Sequence, residues 1–168
     1  YQELLNYIDE KVQNYPELVS SNFIGESQKG KKIPILHISK NSNYDIKKLR
    51  VWMQGGLHGN EPASTESLLY LIHLILEDPD YKYLLDKIYL VILPMANIVG
   101  FLKNDRYAAN GLDLNRDHTK IMAPETRASK KAFAEFDPHI ALDFHEYRPF
   151  RKDFAQLSSF GISNPSDV

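Results

Sequence analysis

The sequence contains no cysteine among its 168 residues. This absence excludes disulfide bonds and thiolate metal sites, so a zinc ion would need histidine and carboxylate ligands. The chain also lacks a surplus of positive charge, because 20 Lys and Arg residues are set against 22 Asp and Glu residues, for a net charge of −2. Nucleic-acid binding depends on neutralising phosphates with basic side chains, so it is disfavoured as a function.

Long hydrophobic runs are missing as well. No segment approaches the ~18–20 apolar residues that a membrane span needs, so the sequence predicts no membrane span. The hydrophobic content of 43% and charged content of 25% are typical of a globular protein, and the length suits one domain. The first residue is Tyr1; if a leader was removed before it, we expect a secreted or periplasmic protein. The compartment is otherwise undetermined by the sequence.

Hydrophobic patterning predicts alternating strands and helices. Five extended or apolar runs predict β-strands, the first two as a hairpin and the last three buried: 23–27, 33–38, 50–54, 88–93 and 139–144. Three segments with helical spacing predict helices: 3–18, 62–76 and 124–136. A polar loop is predicted at 41–45. This order of elements is typical of an α/β fold whose sheet has parallel neighbours.

The densest polar cluster follows the predicted strand 50–54. His58 and Glu61 lie three residues apart in the loop that leads into the next predicted helix. Ligands of open α/β sheets bind outside the C-terminal ends of the strands. His145 follows the predicted strand 139–144, so we expect it at the same edge. Two histidines and one carboxylate match a catalytic zinc site that keeps a position open for water.

A second polar cluster follows the predicted strand 88–93. It contains Arg106, Asn115 and Arg116 together with several further amide and carboxylate side chains. Arginine binds carboxylates through paired hydrogen bonds, so this segment is predicted to hold an anionic group. The alternative interpretation is a solvated loop with surface salt bridges.

Taken in order, these motifs resemble those of the M14 (funnelin) zinc carboxypeptidases. Residues 56–61, Gly-Leu-His-Gly-Asn-Glu, resemble the HxxE metal motif of that family. Residues 97–101 resemble its Asn-Pro-Asp-Gly-Phe motif, and residues 111–116, Gly-Leu-Asp-Leu-Asn-Arg, resemble its Gly-Val-Asp-x-Asn-Arg motif. The pair Phe144-His145, followed by Tyr147, resembles the strand end that carries the third ligand.

The resemblance covers residues 1–148 and implies the N-terminal portion of a catalytic domain. The implied fold is a three-layer α/β/α arrangement with a mixed, largely parallel sheet, truncated at its C-terminus. Residues 149–168 would then be a tail or the start of a further portion of the domain.

The resemblance also implies a role for each candidate residue. One zinc ion per chain would be bound by His58, Glu61 and His145. Asp113 would accept a hydrogen bond from the far nitrogen of His58. Arg106 would stabilise the oxyanion. The two remaining residues of the second cluster, Asn115 and Arg116, would bind the terminal carboxylate of the substrate.

The implied function is a zinc metallocarboxypeptidase, a hydrolase that releases C-terminal residues from peptides. The general-base glutamate of the family is not found in this chain, and Glu146 stands where the peptidases usually have serine, so we expect weak or no activity from these residues alone. Two alternatives stay open: a zinc-dependent deacylase of N-acyl amino acids, similar to succinylglutamate desuccinylase or aspartoacylase, and a non-catalytic zinc- or ligand-binding module. The carboxypeptidase and the deacylase would both act on substrates with a free carboxylate.

Several other residues receive structural interpretations. Trp52, Tyr70 and Phe133 are predicted to lie in the hydrophobic core. His118 follows the second cluster closely and is considered as a residue that could line the site, although a structural role is favoured.

Overall fold

The computed structural model of the protein describes residues 1–40 and 48–146. Its helices are α1 (Gln2–Asn14), α2 (Pro62–Glu77), α3 (Ile98–Lys103), α4 (Leu114–Asp117) and α5 (Pro124–Phe136), with a 3-10 helix at Lys82–Asp86. Its strands are β1 (Val19–Glu26), β2 (Lys32–Ile38), β3 (Leu49–Gly55), β4 (Ile88–Leu93) and β5 (Ile140–Phe144). The predicted loop at 41–45, Tyr147 and the segment 149–168 lie outside the described residues.

The strands form one mixed sheet in the order β1-β2-β4-β3-β5. β1 and β2 form the predicted antiparallel hairpin, and β2 also pairs antiparallel with β4. β3 pairs parallel with both β4 and β5. Two of the four pairings are therefore parallel, and these join the three strands whose C-terminal ends lead into the candidate site.

Helices cover both faces of this sheet. On one face α1 and α2 lie side by side, with Nζ of Lys11 2.6 Å from a carboxylate oxygen of Glu77. α2 lies close to β3 at Gly55, where a Cβ atom would lie 2.7 Å from a backbone oxygen of α2. On the other face α5 places Phe133 edge-on to Trp52 of β3, with ring centroids 5.4 Å apart. The α/β/α layering is confirmed, and it follows from the alternation of side chains along β3.

The strand β5 is not buried, contrary to the sequence-based prediction. Ile140 and Leu142 are 43% and 42% exposed. Among the described strands β5 pairs only with β3, so it forms an edge of the sheet. An apolar run indicates that a strand can be buried, but whether it is buried depends on elements that are distant in sequence.

Two of the predicted core aromatic residues are also exposed. Tyr70 is 62% exposed, although Trp52 is buried as predicted. Leu68 and Ile72 of α2 are buried. Tyr70 lies midway between them in the sequence, so its side chain points to the opposite, exposed side of the helix. Phe133 covers one edge of Trp52 but is itself 36% exposed. No helix in the described ranges has the length and apolar character that crossing a membrane would require.

Candidate metal centre

The edge of the sheet at which β3 and β5 end carries the first polar cluster. Gly55 and Phe144, the last residues of these parallel strands, are directly paired. His58 follows the first by three residues and His145 follows the second by one, so both emerge at this edge. Glu61 occupies the N-cap position of α2, which starts from the same loop. The parallel register thus brings together residues that are more than 80 positions apart.

The side chains of His58, Glu61 and His145 converge on one point. Nδ1 of His58 lies 2.7 Å from Oε1 of Glu61, and Nδ1 of His145 lies 2.8 Å from Oε2. One potential ligand atom from each residue lies within 4.8 Å of the others, and all three side chains are largely buried. Two imidazole nitrogens and one carboxylate fit the donor set of a zinc site.

The other ring nitrogen of His58 faces a carboxylate. Its Nε2 lies 3.2 Å from Oδ1 of Asp113, as the family resemblance implied. Asp113 caps helix α4 by accepting a hydrogen bond of 2.9 Å from the amide of Asn115. A carboxylate on the far nitrogen fixes the orientation of an imidazole, which leaves Nδ1 of His58 directed at the cluster.

Hydrogen bonds within the cluster set the charges of its side chains. Burial alone would raise the pKa of Glu61, but hydrogen bonds from the two imidazole rings outweigh it and lower this pKa to about 2. Hydrogen bonds to Asp143 and Glu61 raise the pKa of His145 to about 9, so a metal ion has to displace a proton from this imidazole. Burial also opposes ionisation of Asp113, but the Arg106 guanidinium lowers the pKa of this carboxyl below its ordinary value. Both carboxylates are therefore held ionised, the form that metal binding requires.

Arg106 lies beside the cluster. Its Nε and one terminal nitrogen are 3.0 and 2.9 Å from Oδ2 of Asp113, and its other terminal nitrogen is 3.9 Å from Oε1 of Glu61. The guanidinium is about one-third exposed, so it lies at the boundary between the cluster and solvent. This position allows it to meet a negative charge that develops next to the cluster.

Asn115 and Arg116 follow at the start of α4. Nδ2 of Asn115 lies 3.4 Å from Nε2 of His145, so this amide borders the cluster. Arg116 is exposed, and its Nη1 donates a hydrogen bond of 3.4 Å to the carbonyl oxygen of Asn115. Arg116 forms no ion pair with any residue in the described ranges, and its positive charge is available for an external anion.

Asn97 holds the two polar clusters together, a role that sequence reasoning did not assign. Its buried Nδ2 donates to the carbonyl oxygens of Leu57 and Arg106, at 3.2 and 3.3 Å. Its Oδ1 accepts from the amide of Gly100, which caps helix α3. The motif at 97–101 was part of the family resemblance, but the partners of Asn97 depend on the tertiary fold.

Asp143 is a second contact that sequence reasoning missed. Its Oδ2 lies 3.2 Å from Nε2 of His145. The two residues are two positions apart at a strand end, and this spacing directs side chains to the same side, so the sequence contained the signal for this contact.

His118 is the residue after the last turn of α4, at its C-cap. It borders a cavity on the α5 face of the sheet, together with Trp52, Phe133 and Asp143.

Gly59 lets the loop between β3 and α2 lie against α3. A Cβ atom at this position would be 2.0 Å from the carbonyl carbon of Gly100 and 2.2 Å from the nitrogen of Phe101. Backbone atoms cannot move aside as a flexible side chain does. The neighbouring ligand positions therefore depend on a glycine at this point of the loop.

Gly59→Ala is expected to lower the free energy of unfolding by about 3 kcal/mol or more, because overpacking against backbone exceeds the usual range. Urea denaturation followed by circular dichroism would measure this change. Gly30→Ala is the matched control: Gly30 has a φ of +69° but open space around it, so only the conformational cost of about 1–2 kcal/mol is expected. Equal losses in the two variants would contradict the close approach at Gly59.

Comparison with protein families supports the interpretation of these motifs. The family model described as zinc carboxypeptidase matches residues 4–145. Carboxypeptidase 2 of Trichophyton rubrum is 42% identical over 139 residues, which cover 77% of this chain and 26% of that protein. Probable carboxypeptidase 2 of Trichophyton verrucosum is 41% identical over 127 residues, covering 73% and 24%. The chain therefore spans about a quarter of the length of these curated relatives.

Solved structures share the fold. The crystal structure of carboxypeptidase A from Helicoverpa armigera matches with a TM-score of 0.81 and 26% identity, over 89% of this chain and 46% of that chain. A metallo-carboxypeptidase from Burkholderia cenocepacia matches with a TM-score of 0.75 and 21% identity, over 85% of this chain and 40% of that chain. At 21% identity, the likeness to the Burkholderia structure concerns the fold alone.

Proposed function

The chain belongs to the zinc carboxypeptidase family, and on this premise we propose that it supplies the metal centre of a metallocarboxypeptidase that releases C-terminal residues from peptides. The observation that carries the proposal is the convergence of His58, Glu61 and His145 on one point. A zinc ion held there would polarise the scissile carbonyl group and lower the pKa of its bound water to about 7.

The residues around the cluster have complementary roles in this proposal. Asp113 orients the His58 ring through its contact with Nε2, the ring nitrogen that faces away from the other ligands. Arg106, which already contacts Asp113 and approaches Glu61, stabilises the negative charge that forms on the carbonyl oxygen of the substrate. Because Arg106 is held by Asp113 before substrate binds, little reorganisation is needed when that charge develops.

Asn115 and Arg116 give the site its preference for a free C-terminus. Asn115 borders His145, and the adjacent Arg116 has no anionic partner in the described part of the chain. A guanidinium next to an amide that borders a metal ligand can bind a carboxylate close to the scissile bond. The resemblance to carboxypeptidases supports a peptide substrate over the N-acyl amino acids of the deacylase alternative.

Arg116→Ala is expected to weaken binding of a peptide with a free C-terminal carboxylate by about 10-fold or more, because a hydrogen bond to a charged group is lost. Binding of the same peptide with a C-terminal amide should change little. Titration calorimetry with the zinc-loaded protein measures both affinities. Arg127→Ala, which removes an exposed arginine of α5, is the matched control. An equal loss for both peptides would contradict a carboxylate-binding role.

A substrate comparison tests the proposed function itself. The zinc-loaded protein is incubated with free peptides, C-terminally amidated peptides and N-acetyl amino acids, and released amino acids are quantified by mass spectrometry. Release of the last residue from free peptides only is the expected result. Release from N-acetyl amino acids alone would contradict the proposal and favour the deacylase.

A further inference from the structure

Helix α2 begins without a capping side chain from its own N-terminus. Glu61 occupies the N-cap position, but its carboxylate faces the two histidines instead of the free amides of the helix. Pro62 at the first helical position has no N–H group. The amide of Ala63 is therefore a free donor of the first turn that needs a partner from elsewhere.

Glu146 supplies this partner. Its Oε2 accepts a hydrogen bond of 3.0 Å from the amide of Ala63. In the opposite direction, its own amide donates a hydrogen bond of 3.1 Å to Oε2 of Glu61. The two bonds are reciprocal: each of the two segments donates one backbone N–H to a carboxylate of the other. They join the residue after His145 to the start of α2, although Ala63 and Glu146 are 83 positions apart.

We propose that Glu146 is a positioning residue of the metal centre, which holds His145 and Glu61 in register by fastening the end of β5 to the start of α2. The inference rests on the proposed function, since it concerns the same three ligands. His145 is bonded to Oε2 of Glu61, the atom that also accepts the Glu146 amide. A shift of the chain at Glu146 therefore changes the distance between two ligand groups directly.

The location of the carboxylate favours this role. An acceptor at this point satisfies a backbone amide of the first turn of α2, which has no side-chain cap of its own. β1, β2 and β4 lie on the other side of β3 from β5, so they cannot fasten the end of β5 themselves. The pairing with β3 is one contact that fixes the end of β5. The contact through Glu146 is another, and it joins the segment of His145 to the start of α2, where Glu61 lies.

Two substitutions at this position separate the hydrogen bond from the charge. Glu146→Ala removes the acceptor, and we expect zinc affinity to fall by about 10-fold, as is typical when a contact that orients a ligand is lost. Glu146→Gln keeps an amide oxygen that can accept from Ala63, so it should restore an affinity close to that of the unchanged chain. Glu66→Ala, which removes an exposed carboxylate from the same helix, is the matched control and should have no effect.

The experiment measures zinc affinity by competition with a chromophoric chelator, while circular dichroism verifies that each variant is folded. The visible spectrum of the cobalt-loaded protein provides a second measurement, since it reports the ligand geometry directly. A changed cobalt spectrum in Glu146→Ala that returns to normal in Glu146→Gln supports the positioning role. A purely structural role would lower the melting temperature and leave this spectrum unchanged.

Two results would overturn the inference while leaving the proposed function intact. One is an unchanged zinc affinity and cobalt spectrum in a folded Glu146→Ala variant. The other is a loss in Glu146→Gln as large as in Glu146→Ala, which would show that the charge matters rather than the hydrogen bond. Failure of the unchanged chain to bind zinc would contradict the proposed function, and the positioning role with it.

Discussion

His58→Ala is expected to abolish stoichiometric zinc binding. The unchanged chain should bind one zinc ion, and the variant none, after zinc addition and dialysis, as measured by elemental analysis. The variant keeps only Glu61 and His145 of the three converging side chains, and two protein ligands make a poor zinc site. It also leaves the carboxylates of Glu61 and Asp113 without the imidazole that lies between them.

A thermal measurement gives an independent readout of the same loss. Zinc that binds only the folded state should stabilise the unchanged chain by about 2.7 kcal/mol at a free concentration 100 times its Kd. The melting temperature of the unchanged chain should therefore rise with zinc, whereas that of His58→Ala should not.

His73→Ala is the matched control for this prediction. It removes an imidazole from α2 whose Nδ1 lies 3.2 Å from Glu77, on the exposed surface of the helix. One zinc ion should remain bound to this variant. Retention of a full equivalent of zinc by His58→Ala would show that the ligand set is wrong. Binding of cobalt or nickel in place of zinc would not, because sites with nitrogen and oxygen ligands accept neighbouring first-row ions.

Residues 1–168, loaded with zinc, are expected to hydrolyse peptides about 10²–10⁴-fold more slowly than a complete carboxypeptidase, the usual contribution of general acid–base catalysis. A base must take the proton of the attacking water. In the described ranges the carboxylates around the three ligands already have partners: Asp113 contacts Arg106, Asp143 contacts His145, and Glu146 accepts from Ala63. Within the described ranges, Asp113 and Asp143 are the acidic side chains outside the ligand set that hydrogen-bond to a ligand.

The measurement compares kcat/KM for release of a C-terminal residue with that of carboxypeptidase A from Helicoverpa armigera under the same conditions. The chelator-treated chain gives the background rate. Turnover close to that of the insect enzyme, and retained in Glu146→Gln, would show that another residue of this chain supplies the base. Turnover that is normal in the unchanged chain but absent in a zinc-bound Glu146→Gln variant would make Glu146 the base.

The order of elements could be predicted from the sequence because its signals are local. The predicted strand 88–93 and the predicted helix 124–136 have the bounds that the structure shows, since an apolar run and a helical period are properties of adjacent residues. The sequence pattern does not predict the helices α3 and α4. They have six and four residues, too few for a period to be visible.

The sequence by itself determined the family and the three candidate ligands of the metal centre. A histidine and a glutamate three residues apart at a strand end, with a second histidine at the end of a later strand, are chemical signals that survive without knowledge of the fold. The contact between Asp113 and His58 was implied in the same way by the family motif.

Only the tertiary structure decided what surrounds these residues. The bond from Glu146 to Ala63 and those from Asn97 to Leu57 and Arg106 depend on the parallel register of β3 and on the loops that meet at its end. The exposure of β5 was decided in the same way, by which strands lie beside it. Residue type and spacing specify which atoms can bind a metal or form a strand, but the partners of each group are set by packing between segments that are distant in sequence.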